Sequence, residues 1–287
     1  MKPPPFNYHD PRTVAEAVGL LASLENAKLL AGGQSLMPML NMRFVLPDHI
    51  VDLNRVDALS FIKESGGALE MGAMTRQRDI EFSDLVHERC PLLSEAIRNV
   101  GHRQTRNRGT LGGSLCHLDP SAELVVAAAA LDAVVTVSGK DGDRDVAFAD
   151  FPVAYMTPAV ELDELVSRVR FAPWPKGHGY AFVEFSRRHG DFAIVSAAAL
   201  LEEDASGKIT RASLTLGGVG PAPLRMTGVE AALKGQTATA QLFREACEAC
   251  RGIEAMGDVQ APGEYRQHLA AVMARRALEA AHTRVRS

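Results

Sequence analysis

Two short segments with paired glycines constrain this chain more than any other feature. The first is Ala31-Gly32-Gly33-Gln34-Ser35-Leu36, and the second is Thr110-Leu111-Gly112-Gly113-Ser114-Leu115. In each, an apolar run typical of a strand ends at the glycine pair, and a serine follows. Adjacent glycines let consecutive backbone N–H groups turn toward one point, and the serine adds a hydroxyl donor. Two such turns predict that the chain holds a diphosphate.

Neither glycine turn belongs to the common nucleotide motifs. Neither carries the Lys-Ser/Thr of a P-loop, and neither fits the G-x-G-x-x-G dinucleotide fingerprint. The ligand is therefore expected to bind outside a Rossmann frame. For either segment alone, a glycine pair that only marks a turn stays open as an alternative, and it is the recurrence that favours a ligand site. Ser35 is also a candidate N-cap of a short helix after the first turn.

Composition narrows the class of protein. The 287 residues are 46% hydrophobic, which suits two globular domains on a prior of about 150 residues each. The net charge is −4 with both signs interspersed, so neither nucleic acid nor an anionic membrane is an expected partner. The apolar run at 124–131 falls short of the ~20 residues that span a bilayer. Because the N-terminus also lacks a signal-peptide pattern, we expect a cytoplasmic protein.

The four cysteines do not predict a metal centre. They are too sparse for a disulfide framework in a chain of this length. Cys247 and Cys250 form a C-x-x-C, the spacing of redox pairs and of half a zinc site. However, they lie in a helical run with no second cysteine pair, so we interpret them as residues that face a core. We expect no zinc and no iron–sulphur cluster bound by this chain alone.

The first half of the chain alternates helices and strands. Thr13 and Glu16 form a capping box before a helix that runs to Leu24, and a strand, the first glycine turn, a helix and a strand follow. A polar segment, 101–109, precedes the second glycine turn and carries three arginines. These arginines could neutralise a diphosphate or contact a partner protein, and a solvated loop is the alternative.

The clearest break in the chain is Pro173-Trp174-Pro175-Lys176-Gly177-His178-Gly179, because its prolines and glycines disfavour regular structure. After it, the segments 180–187, 194–201 and 209–216 read as three antiparallel strands, and the remainder is helical. Strands followed by helices are the α+β signature. We therefore predict a first domain over 1–172, a linker over 173–179 and a second, α+β domain over 180–287.

The motifs together resemble a known family. The two glycine segments, Leu118-Asp119-Pro120-Ser121-Ala122-Glu123, the stretch 187–193, Gly217-Gly218-Val219-Gly220 and Tyr265-Arg266 occur in family order over essentially the whole chain. They are similar to the FAD-binding medium subunits of molybdenum hydroxylases. This is the family of the carbon monoxide dehydrogenase medium chain and of the xanthine dehydrogenase flavin domain.

The resemblance implies an N-terminal FAD-binding domain of the p-cresol-methylhydroxylase type, followed by an α+β domain with a three-stranded antiparallel sheet and helices. It places FAD in the cleft between them. In the family, the two glycine segments hold the diphosphate and ribityl groups, the acidic residue meets the sugar, and the aromatic lies near the isoalloxazine. The implied cofactor-binding residues are Ala31, Gly32, Gly33, Gln34, Ser35, Leu36, Thr110, Gly112, Gly113, Ser114, Glu123, Leu165, Val166, Asp191 and Phe192.

The resemblance also implies an electron-transfer role with partners. A large subunit would carry the molybdopterin cofactor, a small subunit two [2Fe-2S] clusters, and the FAD of this chain would pass electrons to an external acceptor. Two heterotrimers would associate. Phe192 stands where tyrosine is frequent, and Ser114 stands where asparagine is common. These departures affect the expected flavin potential and leave FAD binding in place.

Three other functions remain open at this stage. A stand-alone flavin-dependent oxidase or reductase would need its own substrate pocket and often a covalent flavin link, for which Cys116 and His117 are candidates. A reductase similar to the cell-wall enolpyruvyl reductase would use a nicotinamide cofactor, and the stretch 187–193 argues against it. A nucleotide-binding module without redox activity would be colourless. The sequence specifies neither the substrate of the complex nor its electron acceptor.

Overall fold

The computed structural model describes residues 1–285, so the end of the second predicted domain, 286–287, lies outside it. The strands are β1 (Asn7–His9), β2 (Ala27–Leu30), β3 (His49–Asp52), β4 (Ile62–Ser65), β5 (Ala68–Gly72), β6 (Val134–Gly139), β7 (Gly142–Ala147), β8 (Pro152–Ala154), β9 (Thr157–Pro158), β10 (Leu165–Phe171), β11 (Gly179–Phe185), β12 (Val195–Glu203), β13 (Ile209–Gly217) and β14 (Leu224–Arg225). The α-helices are α1 (Val14–Ser23), α2 (Leu36–Asn41), α3 (Gln77–Glu81), α4 (Asp84–Arg89), α5 (Pro91–Ala96), α6 (Arg103–Arg108), α7 (Leu111–His117), α8 (Glu123–Ala130), α9 (Thr227–Leu233), α10 (Ala240–Cys247) and α11 (Gly263–Arg284).

The N-terminal strands form a small parallel sheet in the order β1-β3-β2. Helix α1 covers it. The predicted N-cap is confirmed because the Thr13 hydroxyl accepts the Glu16 N–H at 3.1 Å, whereas the Glu16 carboxylate accepts the Arg12 N–H at 2.7 Å and so completes the box one residue early. Parallel strands direct their carboxyl ends to the same edge of a sheet. The first glycine pair, which follows β2, therefore lies beside the residues that follow β3.

A five-stranded antiparallel sheet in the order β4-β5-β10-β6-β7 makes the centre of the first domain. Helices α5, α7 and α8 contribute to its core, whose buried members include Leu92, Leu115 and Val169. Helix α8 is buried on nearly every side, from Glu123 to Ala130. A helix that is apolar all round needs neighbours on every side, and α8 contacts the core of the first domain and strands β12 and β13 of the second.

The second domain carries an antiparallel sheet in the order β11-β12-β13-β14. The predicted three strands are present, and the two-residue β14 makes the sheet four-stranded, which corrects the expected strand count. Alternate residues of β12 face opposite sides. Ala197 and Ala199 belong to the core under helix α11, whereas Ala198 and Leu200 belong to the core shared with the first domain. The two-domain α+β class is confirmed.

The proline-rich segment at the predicted domain boundary has neither helix nor strand over 172–178. Even so, it is firmly packed. Trp174 is 5% exposed and shares a core with Phe182 and Leu200, and the Arg211 guanidinium lies 4.0 Å from the centre of its ring. The division at 173–179 stays a prediction, and the cores on its two sides are in contact.

The structure differs from the sequence at several local positions. The arginine-rich segment is helix α6, so the alternative of a solvated loop does not hold for 103–108. Thr75, just before α3, donates its hydroxyl to the Phe61 carbonyl at 2.8 Å. The second glycine pair follows no strand and lies inside α7.

Cys247 and Cys250 are both buried in the core of the second domain, as expected. Within 1–285, no helix combines the length and apolarity that crossing a membrane requires.

Candidate cofactor-binding site

One cleft of about 810 Å³ brings all of the predicted cofactor-binding residues together. Its walls are the first glycine turn, helix α7, the start of α8, the start of β10 and the loop that carries Asp191 and Phe192. The cleft therefore has one wall from the second domain, and the other walls come from the first. Its volume lies within the range of roughly 300 to 1,000 Å³ that is usual for ligand sites.

The first glycine turn exposes unused backbone donors to this cleft. Gly33 has a left-handed backbone with φ +73°, a conformation that a side chain would strain. Among residues 1–285, the backbone N–H groups from Gly32 to Ser35 find no hydrogen-bond acceptor. Ser35 occupies the N-cap position of α2 but, against the prediction, its side chain makes no capping hydrogen bond. Four adjacent N–H donors and a free hydroxyl suit an anionic ligand.

The turn is held in place by the segment before α7. A Cβ added to Gly32 would lie 2.2 Å from the Arg108 carbonyl oxygen, so only glycine fits at this contact. The Arg76 guanidinium donates to the same oxygen at 2.5 Å and to the Asn54 side-chain oxygen at 2.5 Å. Asn54 in turn donates to the Ala31 carbonyl at 2.9 Å. The two glycine segments are therefore neighbours joined by a hydrogen-bonded seam.

The second glycine pair has no free backbone donors, which corrects the expectation of a second phosphate cradle. Thr110 is the N-cap of α7 and its hydroxyl accepts the Gly113 N–H at 3.1 Å. The N–H groups of Leu111 and Gly112 donate to the carbonyls of Thr75 and Ala73, at 3.0 and 2.8 Å. The Ser114 N–H is bound within the helix. Thr110, Gly112, Gly113 and Ser114 line the cleft without offering main-chain donors.

Glu123, in the first turn of α8, is a nearly buried carboxyl at the cleft wall, with 6% of the residue exposed. The pKa of the Glu123 carboxyl is raised to about 8, chiefly by burial. Its own backbone hydrogen bond and the charge of Arg106 lower the pKa, and the negative charges of Glu184 and Asp119 raise it. At neutral pH the carboxyl is mostly protonated until a hydrogen-bond donor favours its ionised form.

Gln77 is a site residue that the sequence did not indicate. It lines the cleft, is 5% exposed, and its Oε1 atom has no hydrogen-bond donor among the described residues. The side chain lies against the Cα atom of Gly109, where an added Cβ would be 2.3 Å from Oε1. An unpaired buried acceptor costs roughly 1 to 3 kcal/mol, so Gln77 Oε1 is an unusual feature of this wall. No periodicity or motif in the sequence marks Gln77 as a site residue, because its burial depends on packing against Gly109, directly after α6.

The wall from the second domain is the loop before β12. Gly190 has φ +86°, and a Cβ there would lie 2.6 Å from the His102 ring, so this loop packs directly on the first domain. Asp191 and Phe192 follow, and Phe192 is 56% exposed. Leu165 and Val166, at the start of β10, contribute buried apolar surface to the cleft.

The three arginines of α6 do not line the cleft, which argues against the alternative in which they neutralise a diphosphate. Arg106 instead forms an ion pair with Glu81 at 2.9 Å and donates to the Val100 carbonyl at 3.0 Å. The single positive charge of Arg106 and its Nε, Nη1 and Nη2 donors are therefore used inside the first domain. Arg103 and Arg108 are exposed.

Cys116 and His117 both line the cleft, as a covalent flavin link would require. Burial raises the pKa of the Cys116 thiol to about 12, and burial lowers the pKa of His117. The thiolate is the nucleophilic form of cysteine, and it is scarce at such a pKa. The environment of Cys116 therefore does not activate it.

Family models and solved structures resolve the class of this protein. Residues 4–174 match the FAD binding domain in molybdopterin dehydrogenase, and residues 180–281 match the CO dehydrogenase flavoprotein C-terminal domain. Together with the cleft between the domains, these matches define a flavoprotein subunit of a molybdenum-containing oxidoreductase.

Whole-chain relatives make the assignment narrower. The 6-hydroxypseudooxynicotine dehydrogenase complex subunit alpha of Paenarthrobacter nicotinovorans is 39% identical over 288 residues, 100% of this chain and 97% of that protein. The carbon monoxide dehydrogenase medium chain of Hydrogenophaga pseudoflava is 35% identical over 286 residues, 99% of each. A structure of carbon monoxide dehydrogenase from that organism, lacking the Mo-pyranopterin moiety, superimposes with a TM-score of 0.96 at 36% identity and covers 99% of this chain and 100% of its own. The chain belongs to the family of FAD-binding medium subunits, as its motifs had indicated.

The residues of the cleft fit FAD. Four unpaired N–H groups from Gly32 to Ser35 suit a diphosphate, and Gln77, whose Oε1 atom is a buried acceptor packed against Gly109, lines the same cleft. Glu123 supplies a second acceptor once it is ionised. A long cleft with donors at one position and acceptors at others matches a ligand with a diphosphate and two polyhydroxy groups.

Proposed function

We propose that this chain binds one FAD along the cleft and serves as the electron-transfer subunit of a molybdenum hydroxylase complex. The observation that carries this proposal is the row of unpaired N–H groups in the first glycine turn, set in a cleft with walls from both domains. FAD, when bound, accepts electrons from one partner and releases them to another. The chain itself positions and tunes the cofactor.

Each part of the cleft has a proposed task. The N–H groups of Gly32 to Ser35 bind the diphosphate, and the seam through Asn54 and Arg76 keeps the turn from moving. The glycines of α7 allow the helix to pack closely against Ala73, since a Cβ on Gly112 would lie 2.6 Å from the Ala73 Cβ. They would also allow the cofactor to approach the helix closely on its cleft side. Their contribution is close approach, because their N–H groups are already bound.

Glu123 and Gln77 are proposed to bind the hydroxyl groups of the cofactor. Both are buried acceptors without a donor from another residue. Ionised Glu123 would accept a hydrogen bond from a hydroxyl group of the sugar portion of FAD. Leu165 and Val166 of β10, together with Phe192 of the loop before β12, would shield the isoalloxazine ring system from water. Asp191 would lie at the edge of that ring system.

The partners follow from the family and are part of the proposal. A large subunit would hold the molybdopterin cofactor and a small subunit two [2Fe-2S] clusters, with two heterotrimers in the complete enzyme, in the cytoplasm. The two relatives named above act in complexes with different substrates, according to their names. We infer that substrate choice does not reside in this chain.

A titration of the purified chain with FAD tests the proposal. We expect saturable binding of one FAD per chain, absorbance bands of a bound flavin, and complete release of the flavin on acid precipitation. Purification of a tagged chain from its host should recover a large and a small subunit with molybdenum and iron, and native mass spectrometry gives their stoichiometry. Cell fractionation tests the location. A chain that takes up no FAD would refute the proposal.

A stand-alone flavin oxidase is the second candidate, since Cys116 and His117 line the cleft. It predicts flavin that stays attached after acid precipitation, and turnover by the chain without partners. The raised pKa of Cys116 argues against the thiolate that such a link would use.

A further inference from the structure

Arg266 is a buried arginine outside the cleft that the proposed function has not used. It lies in the first turn of α11 and is 4% exposed. Its Nη1 atom donates to the carbonyl oxygens of Ile194 and Gly218, at 2.6 and 2.5 Å. Its Nη2 atom forms an ion pair with Asp258 at 2.7 Å. The charge of this buried guanidinium is paired and both Nη atoms are bound, whereas its Nε atom has no acceptor among the described residues.

The first of these contacts fixes the wall from the second domain. Ile194 follows Phe192 by two residues, at the end of the loop that lines the cleft. Arg266 holds the Ile194 carbonyl, and the Ile194 N–H donates to the Phe185 carbonyl at 2.7 Å. Hydrogen bonds at the N–H and at the carbonyl of Ile194 therefore fix the main chain two residues after Phe192.

The second contact leads toward the part of the cleft wall that carries Glu123. Gly218, whose carbonyl Arg266 binds, donates its own N–H to the Pro120 carbonyl of the first domain at 2.8 Å. Pro120 lies three residues before Glu123. Gly218 has φ +75°, and a Cβ there would be 2.6 Å from the Ile194 carbonyl oxygen, so the three segments meet without space for a side chain.

We propose that Arg266 is a positioning residue that sets the separation between the Phe192 wall and the Glu123 wall of the cleft. One guanidinium connects both: directly to Ile194, and through Gly218 to Pro120. The inference rests on the proposed function, because its consequence is the placement of Phe192 against the FAD ring. Arg266 itself does not line the cleft, so its effect on FAD passes through these two segments.

The full-length chain reconstituted with FAD tests this role. Arg266→Met removes all three contacts, Arg266→Lys keeps the charge, and Arg276→Met changes an exposed arginine of the same helix as a matched control. We expect Arg266→Met to weaken FAD binding at least tenfold and to alter the visible circular dichroism of the bound flavin. Arg266→Lys should recover part of both, and Arg276→Met should match the unaltered chain.

A double-mutant cycle separates positioning from general destabilisation. If Arg266 acts through the Phe192 wall, its replacement adds little to the loss caused by Phe192→Ala. In a chain with Ser35→Ala, at the diphosphate turn, the same replacement should have its full effect. Additive losses with Phe192→Ala, or an unchanged FAD affinity and dichroism in Arg266→Met, would overturn the inference.

Asp258→Asn provides a milder variant in case Arg266→Met does not fold. Asp258 is half-exposed and contacts only one end of the guanidinium, so we expect a two- to threefold loss of FAD affinity with the same change in dichroism. An unchanged signal in Asp258→Asn and in Arg266→Lys would refute the positioning role. Failure of the unaltered chain to bind FAD would instead refute the proposed function, and this inference with it.

Discussion

The two glycine pairs look alike in the sequence and differ in the fold. In the first turn, the N–H groups from Gly32 to Ser35 are unpaired at the cleft wall. In the second, the N–H groups of Gly112 and Gly113 are bound to Ala73 and to the Thr110 hydroxyl. The first pair offers donors to a ligand, whereas the second lets a helix pack closely.

The side chains that precede the two pairs explain the difference. Ala31, which follows β2 and comes directly before the first pair, has no side-chain acceptor for the next N–H groups, so the turn leaves them unpaired. Thr110 is an N-cap residue whose hydroxyl takes up a donor of the next turn and starts helix α7. A glycine pair therefore predicts close approach, and only its surroundings decide whether it also binds an anion.

The largest expected effect comes from adding a Cβ to each pair. In Gly32→Ala the new atom would lie 2.2 Å from a backbone carbonyl oxygen, so we expect a loss of about 3 kcal/mol in unfolding free energy. In Gly112→Ala the nearest atom is the Ala73 Cβ at 2.6 Å, and the loss should be about 2 kcal/mol. Urea denaturation of the FAD-free chains measures both.

The FAD affinity of the same two variants tests the comparison itself. Gly32→Ala should also lose FAD binding, since it displaces the free N–H groups. The folded fraction of Gly112→Ala should keep most of its affinity. An equal loss of affinity in both variants would show that the second pair is a ligand nest too.

The next largest effect is the pH dependence of FAD affinity, which we expect Glu123, at the start of α8, to produce. Because FAD hydroxyls favour its ionised form, FAD affinity should rise about tenfold per pH unit up to about pH 8 and then level off. Glu123→Gln should flatten this profile, while Glu184→Gln, which changes a neighbouring carboxyl, should shift it only slightly. A profile that is unchanged in Glu123→Gln would exclude the proposed contact.

The stability of the FAD-free chain should depend on pH in the opposite direction. The folded pKa of Glu123, about 8, lies above its ordinary value of 4.5, so the folded chain binds this proton more tightly. The contribution is complete below pH 4.5 and is lost as the pH rises to about 8. Thermal melts of the chain and of Glu123→Gln between pH 5 and 9 measure the difference.

A smaller effect is expected at Gln77. Replacing it by leucine removes a buried acceptor without a donor, so the FAD-free chain should gain about 1 kcal/mol of stability. FAD affinity should fall about fivefold if a cofactor hydroxyl donates to Oε1. Calorimetric titration and denaturation together decide the matter. A gain in stability without a loss of affinity would remove Gln77 from the site.

The smallest effect compares the two serines. Ser35→Ala removes a hydroxyl that makes no capping bond, beside the free N–H groups, and should weaken FAD binding about threefold. Ser114→Ala, at the equivalent place after the second pair, should change it less than twofold. If the order of these two losses were reversed, the diphosphate would lie nearer to α7 than we propose.

The sequence alone determined the class of fold and the family. Strand and helix patterns and the cap at Thr13 depend on neighbouring residues, so local patterns indicate them, and the division at 173–179 stays a prediction. The residues that the family motifs mark as cofactor-binding all line one cleft, which supports their proposed role. The buried cysteines of α10 and its following turn were also predicted from local context.

Only the tertiary structure decided what each site residue does. The pairing of the second glycine N–H groups depends on Ala73 and Thr75, the burial of Gln77 on Gly109, and the raised pKa of Glu123 on its burial within the packed protein. Arg266 connects residues separated by long stretches of chain. Hydrogen-bond satisfaction and desolvation are properties of the packed chain, so no local pattern of residues could have revealed them.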